Sequence, residues 1–245
     1  MNPTFAAGLT AAFGAAGALG LAYGGFAYAS LWPGSRIFGE ALVAPRRPGE
    51  LALTFDDGPN AAWTPRLLDQ LARYEVNATF FLLGERAQAV PDLVRRIAAA
   101  GHLIGNHSWR HPNLARSSSG RILQELQQTQ DALQQITGTA VRFFRPPFGA
   151  RRPAVFRIAR QLGLQPVLWN AMTSDWSEPS ASRIAADLNA KIEKLRRLGR
   201  AANIVLHDGG HRDQNANREP SVTAAAALVA RYIDSCRFVT LDAWR

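Results

Sequence analysis

From Glu50 onward, short apolar runs alternate with longer amphipathic stretches, and this alternation restricts the fold more than any other feature of the chain. Residues 51–55, 78–83, 102–105, 142–144, 167–170, 203–206 and 238–241 read as strands. Helices are expected from Thr64-Pro65, from Pro91 to about Gly101, over 119–136 with Gly138 as the stop, over 153–162 stopped by Gly163, over roughly 182–198, and from Pro220. Pro in a first turn and Gly just past a last turn fit those positions. Strand and helix in succession imply a parallel sheet covered by helices. About seven such units in about 195 residues predict an α/β fold, an incomplete or distorted (β/α) barrel, in which functional groups gather at the C-terminal ends of strands.

The N-terminal part differs. Residues 5–32 carry no charge and are rich in Ala, Gly, Leu and Phe. That length spans a bilayer as a helix, so residues 1–32 are expected as a transmembrane or signal-anchor segment, an N-terminal hydrophobic helix preceding the barrel. Residues 33–49, with Pro33, Pro45 and Pro48, read as a linker, and 50–245 as the folded domain. Arg36, Arg46 and Arg47 follow the apolar stretch, which by the positive-inside tendency favours a cytoplasmic domain. Ala27-Tyr28-Ala29 resembles a signal-peptidase site, so cleavage after Ala29 would give a secreted chain. The net charge of +9 points to anionic surroundings. The arginines sit at helical spacings rather than in a run with interleaved aromatics, so no nucleic-acid partner is expected. Cys236 is the only cysteine, which excludes an intrachain disulfide and leaves oligomeric state unread.

Five polar clusters fall at the expected strand ends. Asp56-Asp57-Gly58-Pro59 places adjacent carboxylates before a turn, where a cation would relieve their repulsion. His107 and His111 are four residues apart, a spacing that puts both rings on one face of a helical turn for one metal. Ser108 follows the first His, so the helical zinc-protease pattern is absent. Arg145 precedes a stiff Pro146-Pro147-Phe148 frame and pairs well with a carboxylate. Asp175 can orient a His, and Trp176 can form a platform facing a sugar. An apolar strand delivers His207, a natural proton donor near neutrality. Taken singly, each cluster also fits a plain turn, cap or core residue; five in order at strand ends form a joint signal.

In that order the clusters resemble the polysaccharide deacetylase family, carbohydrate esterase family 4, also called the NodB homology domain. The resemblance covers residues about 50 to 245. It implies a metal-dependent hydrolase that removes N-acetyl groups from N-acetylhexosamine residues of a polysaccharide, peptidoglycan or chitin-like, releasing acetate. By motif, Asp57, His107 and His111 match the metal ligands, Asp56 the general base and His207 the general acid. Arg145 matches the residue holding the base and Asp175 the one tuning the acid. Phe148 matches the backbone oxyanion donor, and Trp176 and Leu206 match residues shaping the acetyl pocket. The implied cofactor is a divalent metal, Zn2+ first, with Co2+, Ni2+ or Mn2+ as alternatives. Phe148 stands where the family has Tyr, and Met172 where it has the first Asp of Asp-x-x-Asp-Trp. Because the family's polymers lie outside the cytoplasm, the resemblance places the domain outside the cytoplasmic membrane on a single-pass anchor. Open alternatives are hydrolysis of another amide or an O-acetyl ester on the same scaffold, and a catalytically weak sugar-binding module.

Overall fold

The structure, a computed structural model, describes residues 24–245. Eight parallel strands make one sheet: β1 (Glu50–Gly58), β2 (Thr79–Leu82), β3 (Leu103–Asn106), β4 (Phe143–Phe144), β5 (Gln165–Pro166), β6 (Ala171–Met172), β7 (Ala202–His207) and β8 (Arg237–Phe238). The order is β5-β4-β3-β2-β1-β7-β6, and β8 also pairs with β1. β7 lines one edge of β1 from Leu51 to Asp56. The other edge is therefore shared, with β8 against Glu50 and Leu51 and β2 against Thr54 to Gly58. Among the described residues after Glu50, seven α-helices accompany the strands: α1 (Trp63–Arg73), α2 (Gly84–Ala89), α3 (Pro91–Ala99), α4 (Ser119–Thr137), α5 (Pro153–Gln161), α6 (Ala181–Arg197) and α7 (Glu219–Tyr232). The side chains of Ser118 and Ser180 cap α4 and α6, and Gly138 ends α4 in the left-handed conformation that glycine adopts freely.

The period of two along each strand splits the core. Leu51, Leu53 and Phe55 of β1, Phe80 and Leu82 of β2, and Ile204 and Leu206 of β7 pack outward with the helices. Each such side chain contributes about 2 kcal/mol by leaving water. Ala52, Phe81, Phe143 and Val167 form a second, smaller cluster with the C-terminal Leu241 and Trp244. The inward positions of β1 and β7 are thus left to Thr54, Asp56, Asn203, Val205 and His207, and the strand ends above the small cluster become polar.

Residues 167–170, expected as a strand, instead carry the chain from β5 at one edge of the sheet to β6 at the other. Leu42 fills the gap: its N–H donates to Pro166 O at 2.9 Å, and it accepts from Leu168 N at 2.9 Å, forming an isolated parallel bridge with Val167. The stretch 33–49, expected as a linker, thus lies along the barrel wall, with Ala201 N–H bonded to Pro45 O as well. The half-barrel follows a path of seven strands, as expected, with β8 added beside β1, and the six-residue α2 lies outside the expected helices. Of the expected N-terminal apolar helix, residues 24–31 are helical and the remainder lies outside the described residues. Among the described residues no helix is long and apolar enough to cross a membrane.

Candidate metal and acid–base site

The polar clusters at the strand ends converge on one cleft of about 500 Å³, within the size range of small-ligand sites. β1 delivers the two carboxylates. Alternation alone would send Asp56 and Asp57 to opposite faces. The β1–β2 register shifts between Asp56 and Gly58, and Asp57 sits at φ 67°, so the chain turns and both side chains line the cleft. Asp57, Ser108, His111 and Phe148 all have positive φ values between 60° and 71°. Such conformations cost of order 1–3 kcal/mol each in a non-glycine residue and collect at functional sites. Two glycines permit the close approach of β1 and β7. A Cβ on Gly209 would lie 2.0 Å from Asp57 O, and one on Gly58 2.5 Å from Asp208 Oδ2.

His107 and His111 were expected on one helical turn. The segment is an irregular loop instead, so their rings meet by another route. Glu125 of α4, buried, accepts from Trp109 N at 2.8 Å and Arg110 N at 2.9 Å, Asn106 Oδ1 accepts from Ser108 N, and Ser108 Oγ accepts from His111 N. The rings end 5.0 Å apart. His107 Nδ1 lies 2.8 Å from Arg145 O; a carbonyl only accepts, so Nδ1 carries the proton and Nε2 presents a lone pair. Burial pushes His111 down to about 2, against the pull of Asp57, so its ring is neutral. Burial also opposes the charge on Asp57, but the hydrogen bonds from His211 and the nearby protonated His207 hold its carboxyl well below the usual range.

Asp57 Oδ1 lies 3.4 Å from His107 Nε2 and 3.2 Å from His111 Nε2, is buried, and has no hydrogen-bond partner among the described residues. A buried, ionised oxygen facing two imidazole nitrogens is a costly arrangement alone and a good one around a cation. Asp57, His107 and His111 are also the group whose donor atoms lie within 4.8 Å of one another among the described residues. The donor set of two imidazoles and one carboxylate suits a zinc-type divalent ion and leaves a coordination position for an exchangeable ligand.

Beside this triad stand two charge pairs. Arg145, fully buried, donates from Nη1 to Asp56 Oδ1 at 2.7 Å and to Thr54 Oγ1 at 2.7 Å, and from Nη2 to Asn203 Oδ1 at 3.2 Å. Its guanidinium lies 4.2 Å from the Phe81 ring centroid. Burial lowers its pKa and the Asp56 charge raises it again. On the far side, Asp175 Oδ1 accepts a hydrogen bond from His207 Nδ1 at 2.9 Å, while Oδ2 accepts from His207 N at 2.8 Å and Ser221 Oγ at 2.7 Å. Burial disfavours the imidazolium, but the Asp175 charge and hydrogen bond prevail and raise His207 to about 9. At neutral pH the ring is protonated, with Nε2 as the remaining donor.

Phe148 and Trp176, both about half exposed, rim the cleft, and Trp176 lies edge-on to His207 with centroids 5.3 Å apart. Met172 of β6 also lines it. Leu206 does not. It points outward into the core between sheet and helices, because it neighbours inward-facing His207 on β7; Val205, two residues before His207, lines the cleft instead. Three further residues, outside the five clusters, contribute to the site. Arg86 bonds Asp57 O at 3.1 Å and Gly210 O at 2.6 Å, and Arg218 bonds Gly209 O and Trp176 O, tying the strand-end loops together. His211 stacks on His111 and touches Asp57. Its signal was available: His207 and His211 repeat the four-residue spacing of His107 and His111.

The family model described as polysaccharide deacetylase matches residues 44–167. A peptidoglycan-N-acetylglucosamine deacetylase of Bacillus cereus is 41% identical over 204 residues, 82% of this chain and 70% of that protein. A chitooligosaccharide deacetylase of Rhizobium leguminosarum bv. trifolii is 38% identical over 184 residues, 72% of this chain and 82% of that one. Among solved structures, a peptidoglycan N-acetylglucosamine deacetylase in complex with 4-naphthalen-1-yl-N-oxidanyl-benzamide superposes with a TM-score of 0.73 at 35% identity, over 83% of this chain and 91% of that one.

Proposed function

This chain belongs to the polysaccharide deacetylase family, and from its cleft we propose how it works as a metal-dependent hydrolase that removes N-acetyl groups from N-acetylhexosamine residues of a glycan. The observation that carries the reading is the convergence of the unpartnered Asp57 Oδ1 with the Nε2 atoms of His107 and His111, flanked by the Asp56–Arg145 and His207–Asp175 pairs. A divalent cation held by Asp57, His107 and His111 would polarise the acetyl carbonyl and acidify water beside it. Asp56 takes a proton from the attacking water, with Arg145 fixing the orientation of its carboxylate. The Phe148 N–H stabilises the oxyanion as the amide carbon becomes tetrahedral. His207, protonated against Asp175, gives its Nε2 proton to the departing sugar amine, and the C–N bond breaks. The products are acetate and a free amino sugar. Trp176 and Val205 bound the acetyl and sugar contacts.

The domain assignment is residues 50–245 for catalysis, buttressed by 33–49. Residues 5–32 are proposed as a single-pass anchor that holds the domain outside the cytoplasmic membrane, on the ground of their uncharged length. Acetate release from peptidoglycan and N-acetylchitooligosaccharides, measured alongside bound metal, tests the reading. Release that persists in Asp57→Ala with no metal bound would refute it.

A further inference from the structure

We infer that His211 is a positioning residue of the metal centre, holding Asp57 so that a single carboxylate oxygen faces His107 and His111. This rests on the reading of those three residues as metal ligands. Asp57 Oδ2 receives both of its hydrogen bonds among the described residues from His211: the main-chain N–H at 3.2 Å and Nδ1 at 3.3 Å. With Oδ2 occupied, the carboxylate cannot rotate or offer both oxygens, and Oδ1 alone turns inward.

The imidazole is itself held. It stacks on His111 with centroids 4.2 Å apart and planes 20° from parallel, and meets the Phe148 ring edge-on at 5.3 Å. Its main chain follows Gly209 and Gly210, whose carbonyls are gripped by Arg218 and Arg86. His211 therefore fixes one ligand by hydrogen bonds and another by stacking. Nδ1 is committed to Oδ2, and Nε2 is buried without a partner among the described residues, on a side chain that lines the cleft. Partners of this kind orient a ligand and tune its basicity, and their loss costs about 10–100-fold in metal affinity.

The test uses the full-length protein and Zn2+ competed against a chelator, with His211→Ala, His211→Asn and His211→Gln beside wild type. An Asn amide nitrogen overlays Nδ1, whereas that of Gln overlays Nε2. The expected result is a zinc Kd weakened about 10–100-fold in Ala and Gln and largely restored in Asn, with the melting temperature of the metal-free protein unchanged. The cobalt(II) absorption bands of His211→Asn should match wild type, as a residue outside the coordination sphere requires. An unchanged Kd in Ala overturns the inference. So does rescue by Gln but not Asn, or a changed cobalt spectrum in Asn, since each would make Nε2 a direct ligand. Failure of the metal-centre reading is distinguishable: wild type itself would then bind no zinc, and the inference would fall with it.

Discussion

Replacing Asp175 by Asn tests the proton-donor half of the mechanism. Asn keeps the volume and can still accept from His207 N and Ser221 Oγ, but it removes the charge and the acceptor that stabilise the His207 imidazolium. That stabilisation lifts the group from 6.5 to about 9. The difference corresponds to ~3 kcal/mol at 1.36 kcal/mol per tenfold. Because the folded value lies above the unfolded one, this stability is fully present below pH 6.5 and is lost as pH rises through about 9. Without Asp175 the largest remaining influence is burial, which favours the neutral ring, so the group returns to about 6.5 or lower. At pH 8 the protonated fraction then falls from roughly 90% to roughly 3%, about a 30-fold loss of the proton-donating form. The assay is the pH profile of acetate release by the metal-loaded protein, with the His207 ring followed by NMR. The alkaline limb should move acidward by more than one pH unit, and an activated acetate ester, whose leaving group needs no proton, should be spared. A limb that stays where it is in wild type would refute the reasoning.

Three further outcomes follow from the same geometry. Asp56→Asn should keep the metal and lose about 10²–10⁴-fold in turnover; near-normal acetate release would assign the base elsewhere. Gly209→Ala, whose Cβ would lie 2.0 Å from Asp57 O, should cost ~3 kcal/mol or more and weaken zinc binding; an unchanged denaturation midpoint would contradict the close approach. Arg151 is buried and donates to the carbonyls of Ser30, Trp32 and Ser35. A chain starting at residue 37 should therefore be less stable than one starting at 24, through loss of three charge-assisted hydrogen bonds, each worth ~1.5–3 kcal/mol before water replaces it; equal stability by chemical denaturation would show that the contacts are dispensable.

What was legible in the sequence followed the periodicity. The strand–helix alternation yields the parallel half-barrel, and runs such as 51–55 and 203–206 end where Asp56 and His207 enter the cleft. Less legible were features set by tertiary contact. β5 and β6 flank the expected strand 167–170 because Leu42, distant in sequence, supplies the bridge there. The His107–His111 loop is not helical because Glu125 captures two of its N–H groups from another element. The family resemblance places Leu206 at the pocket, whereas a period of two from His207 selects Val205. The role of His211 depends on a partner, Asp57, 154 residues away, so it is set by tertiary contact and not by local pattern.

The most direct test of the account is acetate release from N-acetylchitooligosaccharide by chelator-stripped protein titrated with Zn2+. The account predicts no release from the stripped protein and recovery that saturates at one bound equivalent, with neither metal binding nor recovery when both His107 and His111 are replaced by Ala. Release by metal-free protein, or silence toward every N-acetylated glycan with one equivalent bound at Asp57, His107 and His111, would contradict it.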